Sequence, residues 1–358
     1  MKTAPVIAEL ARAPDEFEHV LVHTGQHYDR EMSEVFFEEL GIGEPDHLLG
    51  VGSGSHAQQT ARVMERLEPV LLEVRPDVVL VPGDVNSTLA AALVAAKLGI
   101  PIGHVEAGLR SFDRTMPEEV NRVLTDQLSE YLFIHSPEAR DNLIAEGCAG
   151  RVHDVGNTMI DTLTAMRDRI RERAAANAYG LEASGYLVVT LHRPALVDGP
   201  LLSEVIAQLS AIAERIPVLF PVHPRTRAEL EARGVPLDSP GLRLVEPLGY
   251  LDFLSLVSDA AGVLTDSGGI QEETTFLAVP CLTLRDTTER PITCTLGTNT
   301  LLGLAPSRIA EVPALIVEAR RRPSSVPPLW DGKAAERLVH VLMGAPELER
   351  ARQSTRVG

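Results

Sequence analysis

Short apolar runs alternate along the chain with longer stretches in which apolar positions return every three or four residues. "HVLVHT" (19–24), "DVVLVPG" (77–83), "IGHVEAG" (102–108), "YLFIHS" (131–136) and "RVHDVG" (151–156) have the length and β-branched content of buried strands. A second series follows: "YLVVTL" (186–191), "PVLFPV" (217–222), "LRLVEP" (242–247), "GVLTDS" (262–267) and "PCLTL" (280–284). Segments 56–74, 86–98, 117–129, 200–215 and 269–278 carry the helical period. Strands separated by helices predict parallel sheets with helices on both faces, an α/β fold. The pattern divides at a long, charged, Ala-rich helix and loop over 158–185, which ends in "EASG". This predicts two doubly wound, Rossmann-like domains facing a cleft, 1–157 and 158–337. The charged helical stretch 333–358 follows, and its part 338–358 is expected to pack back on the first domain.

Ligands of such sheets bind beyond the carboxyl ends of the strands. Asp84, Glu106, His192, His223 and Ser267 all fall at predicted strand ends. The 358 residues carry 33 basic and 50 acidic side chains, a formal charge of −17, and aromatics make up only 4%. Nucleic acid and anionic membrane are therefore poor partners, since both need a basic footprint. Cys148, Cys281 and Cys294 are odd in number and contain no Cys-x-x-Cys, so neither a disulfide framework nor a cysteine zinc site is expected. The longest apolar stretch, "LAAALVAAKLGI", is short of a membrane span and contains Lys97. With no signal-peptide pattern at "MKTAPVIAEL", the expected compartment is the cytoplasm.

"GVLTDSGGIQEETTF" reads as strand, small-residue turn and helix. Helix N-termini offer free N–H groups and a positive dipole end to an anion, and Gly268 and Gly269 allow close approach. Ser267 adds a hydroxyl. Glu272 and Glu273 repel an anion but suit a ribose diol, so a ligand with both phosphate and hydroxyl groups fits both features. The plainer reading is a Ser N-cap with acidic first-turn residues. "GVGSGS" (50–55) fails the dinucleotide fingerprint at Ser55, with no strand expected before it, and no triphosphate loop occurs. "GHVEAGLRSFDRTMPEEVNR" supplies His104, Glu106, Arg110, Arg114, Glu118, Glu119 and Arg122. With Asp84, its carboxylates are candidate general acids and bases. Glu118 and Glu119 equally suit the first turn of a helix opened by Pro117. His192 and His223 each lie near an arginine, as a diphosphate would require. Metal-ligand spacing is absent, so no metal is expected. Arg290, beside Glu289, is either a further cation for the ligand or half of an ion pair.

In family order, "TGQHYD", "RPDVVLVPGDVNST", "HVEAGLRS", "MPEEVNR", "VGNTMIDTL", "TLHRP", "DSGGIQEE" and "TERPITCTLGTN" resemble the non-hydrolysing UDP-N-acetylglucosamine 2-epimerases. The resemblance implies the two-domain fold of one large glycosyltransferase class, a UDP-sugar substrate, a homodimer and no redox cofactor. It implies anti elimination of UDP to 2-acetamidoglucal and re-addition with protonation on the other face of C2. It assigns Asp84, Glu106 and Glu118 as acid/base carboxylates and His192 as the essential histidine near the diphosphate. Ser267, Gly268 and Gly269 would hold phosphates, Glu273 the ribose, and Phe253 the uracil, with Arg290, His223 and Lys2 as further contacts.

Two departures stand out. The family opens with a strand and a Gly-Thr-Arg-Pro-Glu turn, whereas this chain opens in the following helix. Low stability and weak or absent activity are expected of it as written. "HRPALVD" has Ala195 and Leu196 where the family usually has Glu-Asn, removing polar groups near His192. Gln26 and His27 match a loop that binds an activating second substrate in some members, but the following "YDREM" does not, so activation is not expected. Alternative readings are epimerisation of a related sugar such as a 2,3-diacetamido uronate, a retaining glycosyltransferase, and a degenerate nucleotide-sugar binder.

Overall fold

The computed structural model describes residues 1–26, 37, 39–235 and 238–345. The chain forms two compact units, Met1–Thr164 with the segment from Pro328 onward, and Ala165–Pro327. The first holds a four-stranded parallel sheet in the order β3 (Val79–Pro82), β4 (Ile102–Val105), β5 (Tyr131–Ile134), β6 (Arg151–Asp154). Before it in sequence, β1 (Val22–His23) and β2 (His47–Leu48) make a separate parallel pair. One face of the larger sheet lays Val105 and Phe133 against Val6 and Leu10 and against Leu338 and Leu342. These come from helices Ala4–Leu10 and Ala334–Met343. The other face lays Val81 and Ile102 against Leu67, Leu71 and Val94 of helices His56–Val74 and Asn86–Leu98.

The second unit holds seven strands in the order β13 (Asn299–Leu301), β12 (Cys281–Thr283), β11 (Gly262–Thr265), β7 (Leu187–Thr190), β8 (Val218–Pro221), β10 (Leu242–Val245), β9 (Asp238–Ser239). All neighbours are parallel except β9 with β10. Chain order reverses between β7 and β11, the crevice where doubly wound sheets bind ligands. The last registered pair there is Thr190 with Thr265, so both strands end level and their following residues meet.

Three details differ from the pattern-based expectation. The long helix expected over 158–185 is two helices, Thr158–Ala165 and Arg167–Arg173, and a 3₁₀ turn, Ala175–Tyr179. The break falls at Ala174, whose φ is +43°, where the N–H of Ala175 turns to the Ser255 hydroxyl (3.1 Å). A tertiary hydrogen bond thus overrides alanine's helix propensity. A strand, β2, does lead into "GVGSGS". That turn nevertheless ends in a capping box, with the Gln58 N–H donating to Ser55 Oγ (3.3 Å) and the Ser55 N–H to Gln58 Oε1 (3.2 Å). Its helix N-terminus is therefore closed by its own side chains. Among the described residues, no helix is long and apolar enough to cross a membrane.

Candidate active site

In the first unit, β3 and β4 are registered Pro82 to Val105, which brings the Gly83–Asp84 turn beside Glu106. Gly83 has φ +65°, a left-handed backbone that favours glycine. Glu106 itself has φ +75°, a left-handed backbone that a non-glycine residue occupies at a cost of about 1–3 kcal/mol. Its buried carboxylate pairs with Lys2. Asp84, one-quarter exposed, pairs with the buried Arg122 (2.5 Å). Glu118 is half-buried in the first turn of helix Pro117–Leu128. The same helix reaches the Asp84 carbonyl through Asn121 Nδ2 (2.8 Å).

Beneath these groups runs a buried polar brace. His104 faces acceptors with both ring nitrogens: Nε2 meets the Gly83 carbonyl (2.7 Å) and Nδ1 the Asp126 carboxylate (2.6 Å). Asp126 also accepts from the Gly108 N–H (3.1 Å) and pairs with Arg110 (2.7 Å). Burial pushes the Asp126 carboxyl up, but His104 and Arg110 outweigh it and hold it below the ordinary carboxylate range. The brace ties both catalytic-candidate turns to one helix. A histidine and an aspartate 22 residues apart give no local sequence signal of it.

In the second unit, His192 and Asp266 leave β7 and β11 side by side. Asp266 is fully buried. It accepts from the N–H of Arg193 (2.8 Å) and of His192 (3.0 Å) and faces His192 Nδ1 (3.0 Å), while the His192 ring stays exposed. Leu196 and Val197 sit in the apolar core, so in "HRPALVD" helix Pro194–Val197 is anchored by packing. Leu196 therefore points away from polar company.

Ser267, Gly268 and Gly269 form the half-buried turn that opens helix Gly268–Leu277, and the Ser267 hydroxyl makes no cap. Ser267 does stand at the N-cap position, but it does not cap the helix through its side chain. A Cβ on Gly268 would come within 2.5 Å of Arg290 Nη1 and 2.7 Å of Glu289 Oε1. Arg290 is buried and paired with Glu289 (2.5 Å) and Glu272 (2.9 Å), which seats it behind the turn. Gln271 binds the Ser267 carbonyl (3.1 Å) and accepts from Thr288 (2.6 Å) and Asn299 (2.9 Å). Gln271 and Asn299 were not singled out from the sequence, although both stand inside its motifs. His223 is exposed after β8, and Phe253 is half-buried on helix Tyr250–Asp259. Gln26 caps helix Asn86–Leu98 by accepting from the Ser87 N–H (3.1 Å), and His27 lies outside the described residues.

Glu273 is buried and accepts from the Tyr250 hydroxyl (3.1 Å). Burial, with Glu272 beside it, pushes its carboxyl up to about 8. A carboxyl raised above its unfolded value contributes stability below that value and loses it as pH rises through the folded one. The protein should therefore lose stability, on the order of a few kcal/mol, between about pH 5 and pH 9. Glu273→Gln should flatten this slope. Melting temperatures of both proteins across that range test it, and parallel curves would count against it.

The sequence profile of the UDP-N-acetylglucosamine 2-epimerase family matches residues 8–343. The chain belongs to this family. A Methanococcus maripaludis UDP-N-acetylglucosamine 2-epimerase is 42% identical over 355 residues, covering 96% of this chain and 95% of that protein. A Pseudomonas aeruginosa UDP-2,3-diacetamido-2,3-dideoxy-D-glucuronate 2-epimerase is 43% identical over 314 residues, 86% of each. The crystal structure of Methanocaldococcus jannaschii UDP-GlcNAc 2-epimerase in complex with UDP-GlcNAc and UDP superposes with a TM-score of 0.87. It is 39% identical, and 96% of each chain is covered. In this member of the UDP-N-acetylglucosamine 2-epimerase family, the α/β architecture with largely parallel sheets is the one the apolar pattern predicted, apart from the antiparallel β9 and the separate β1–β2 pair.

Proposed function

We propose that this chain interconverts UDP-N-acetylglucosamine and UDP-N-acetylmannosamine by elimination and re-addition of UDP. The observation that carries the reading is the pair Asp84 and Glu106. They stand on adjoining strand ends, each against its own cation, with Glu118 on the helix bonded to the Asp84 turn. The C2 proton of the sugar is not next to a carbonyl. Departure of UDP from C1 builds positive charge that acidifies it, and a carboxylate takes it as the C1=C2 bond forms. UDP oxygen then re-adds at C1 and a carboxylic acid returns a proton to the opposite face of C2. The cycle is redox-neutral, and every proton is exchanged with Asp84, Glu106 or Glu118.

The glycine turn at the β7–β11 switch suits the diphosphate through Ser267, Gly268 and Gly269, with His192 beside it. Glu273, still protonated at neutral pH, can both donate to and accept from a ribose hydroxyl, and Phe253 offers a face to uracil. His223 stands exposed at the next strand end. Arg290, with Glu289, shapes the turn from behind, and Lys2 acts by holding Glu106.

Proton NMR of the purified protein with UDP-N-acetylglucosamine in deuterated water tests the proposal. A mannosamine epimer carrying deuterium at C2 is expected. Epimerisation without C2 exchange would rule out this chemistry. Because the Pseudomonas relative acts on a 2,3-diacetamido glucuronate, the same assay should include that sugar nucleotide, and preference for it would shift the substrate and leave the mechanism.

A further inference from the structure

The two adjacent glutamates of "PEEVNR" have opposite fates. Glu118 is half-buried at the start of its helix, whereas Glu119 is 2% exposed. Glu119 Oε2 accepts from the Ser111 N–H (2.9 Å) and hydroxyl (3.0 Å), and Oε1 accepts from the Phe112 N–H (2.9 Å). Oε2 also receives Arg122 through Nη2 (2.7 Å) and Nε (3.2 Å). Burial pushes the Glu119 carboxyl up, but the N–H of Ser111 and Phe112 and the Arg122 guanidinium hold it below its ordinary value. It is an ionised group whose hydrogen-bonding capacity is spent inside the protein.

Arg122 is equally buried, and its remaining nitrogen, Nη1, goes to Asp84 Oδ2 (2.5 Å). Only Asp84, at the end of the chain of contacts, reaches solvent. A guanidinium is planar, so fixing one edge on Glu119 fixes where the other points. The Asp84 backbone is held as firmly, by Asn121 on its carbonyl and by His104 on the carbonyl of Gly83. Lys2 and Glu106 are the other charged groups at this turn, and they are paired with each other.

We propose that Glu119 and Arg122 are positioning residues that aim the Asp84 carboxylate at the reacting C2–H, and that neither touches substrate. This rests on the epimerase reading given above. Their contribution is geometric: a base displaced by about 1 Å loses on the order of 10²-fold in rate.

The test compares Glu119→Gln, Arg122→Lys and Arg122→Met, each at matched folded concentration, for kcat, KM and UDP affinity. Glu119→Gln and Arg122→Met should lower kcat by about 10- to 100-fold, with KM and UDP affinity within about twofold of the parent. Arg122→Lys should recover part of the rate. In an Asp84→Asn background, Glu119→Gln should cost nothing further, because the group it aims is gone. A lower melting temperature with unchanged kcat would make both residues merely structural and overturn the proposal. So would a full second loss on top of Asp84→Asn.

A readout independent of turnover separates this from failure of the epimerase reading. The ¹³C carboxyl resonance of Asp84, assigned by its loss in Asp84→Asn, should move in both Glu119→Gln and Arg122→Met. If it stays put in both, the relay does not exist, whatever the protein's activity.

Discussion

Asp84→Asn and Glu106→Gln are each expected to slow C2–H exchange by about 10²–10⁴-fold, the range that removing a general acid or base commands. The amides keep the shape of the carboxylates but cannot shuttle protons at neutral pH. Because the turn proposed to bind UDP belongs to the second unit, UDP affinity should change little, and the loss should appear in kcat. Glu106→Gln carries a second consequence. Lys2 exchanges a carboxylate at position 106 for a weaker amide acceptor, so some stability should be lost as well. Single-turnover exchange followed by NMR, with UDP titration calorimetry alongside, would separate these effects. Retention of more than about a tenth of the exchange rate in either variant would remove that residue from the proton path.

The second large effect is expected at Asp266. Its buried carboxyl is the shared acceptor for two backbone N–H groups of the His192–Arg193 turn and for the His192 ring. Asp266→Ala strips the shared acceptor from the part-buried N–H groups of His192 and Arg193, and each donor left unsatisfied costs about 1–3 kcal/mol. The fold should lose roughly 3 kcal/mol or more, and the β7–β11 seam should open at its ligand end. On the function proposed above, UDP affinity should fall with it, since this carboxylate holds His192 in place. Asp266→Asn keeps one acceptor oxygen and should fall between. Urea unfolding and calorimetry check both parts, and an Ala variant with parental stability and UDP affinity would show the seam to be held otherwise.

How much of this was legible in advance follows from how local each feature is. Tyr131–Ile134, Leu187–Thr190 and Val218–Pro221 announced themselves because they are largely apolar on both faces, as central parallel strands must be. β13, Asn299–Leu301, did not. Its buried Asn299 bonds Gln271, Thr283 and Thr293, so its polarity reads as a loop while a hidden network satisfies it. β9 is a two-residue antiparallel edge, too short to carry a pattern.

In the candidate site, Asp84, Glu106, Ser267 and the glycines were visible because each is a strand end followed by a turn. What was not visible is the partnership. His192 meets Asp266 across 74 positions and Arg122 meets Asp84 across 38, and nothing in either neighbourhood names the other. Nor could spacing decide between Glu118 and Glu119. The helix rotates by about 100° per residue, and only packing reveals which of two neighbours turns inward.

The left-handed backbone at Glu106 sets two kinds of selection against each other. Glycine would relax that conformation, and asparagine tolerates it better than most side chains do. A lineage filtered only for heat resistance would drift towards those residues and away from a carboxylate. On the function proposed above, a carboxylate at position 106 would be kept only under selection for turnover, in a backbone angle that selection for stability alone would erase.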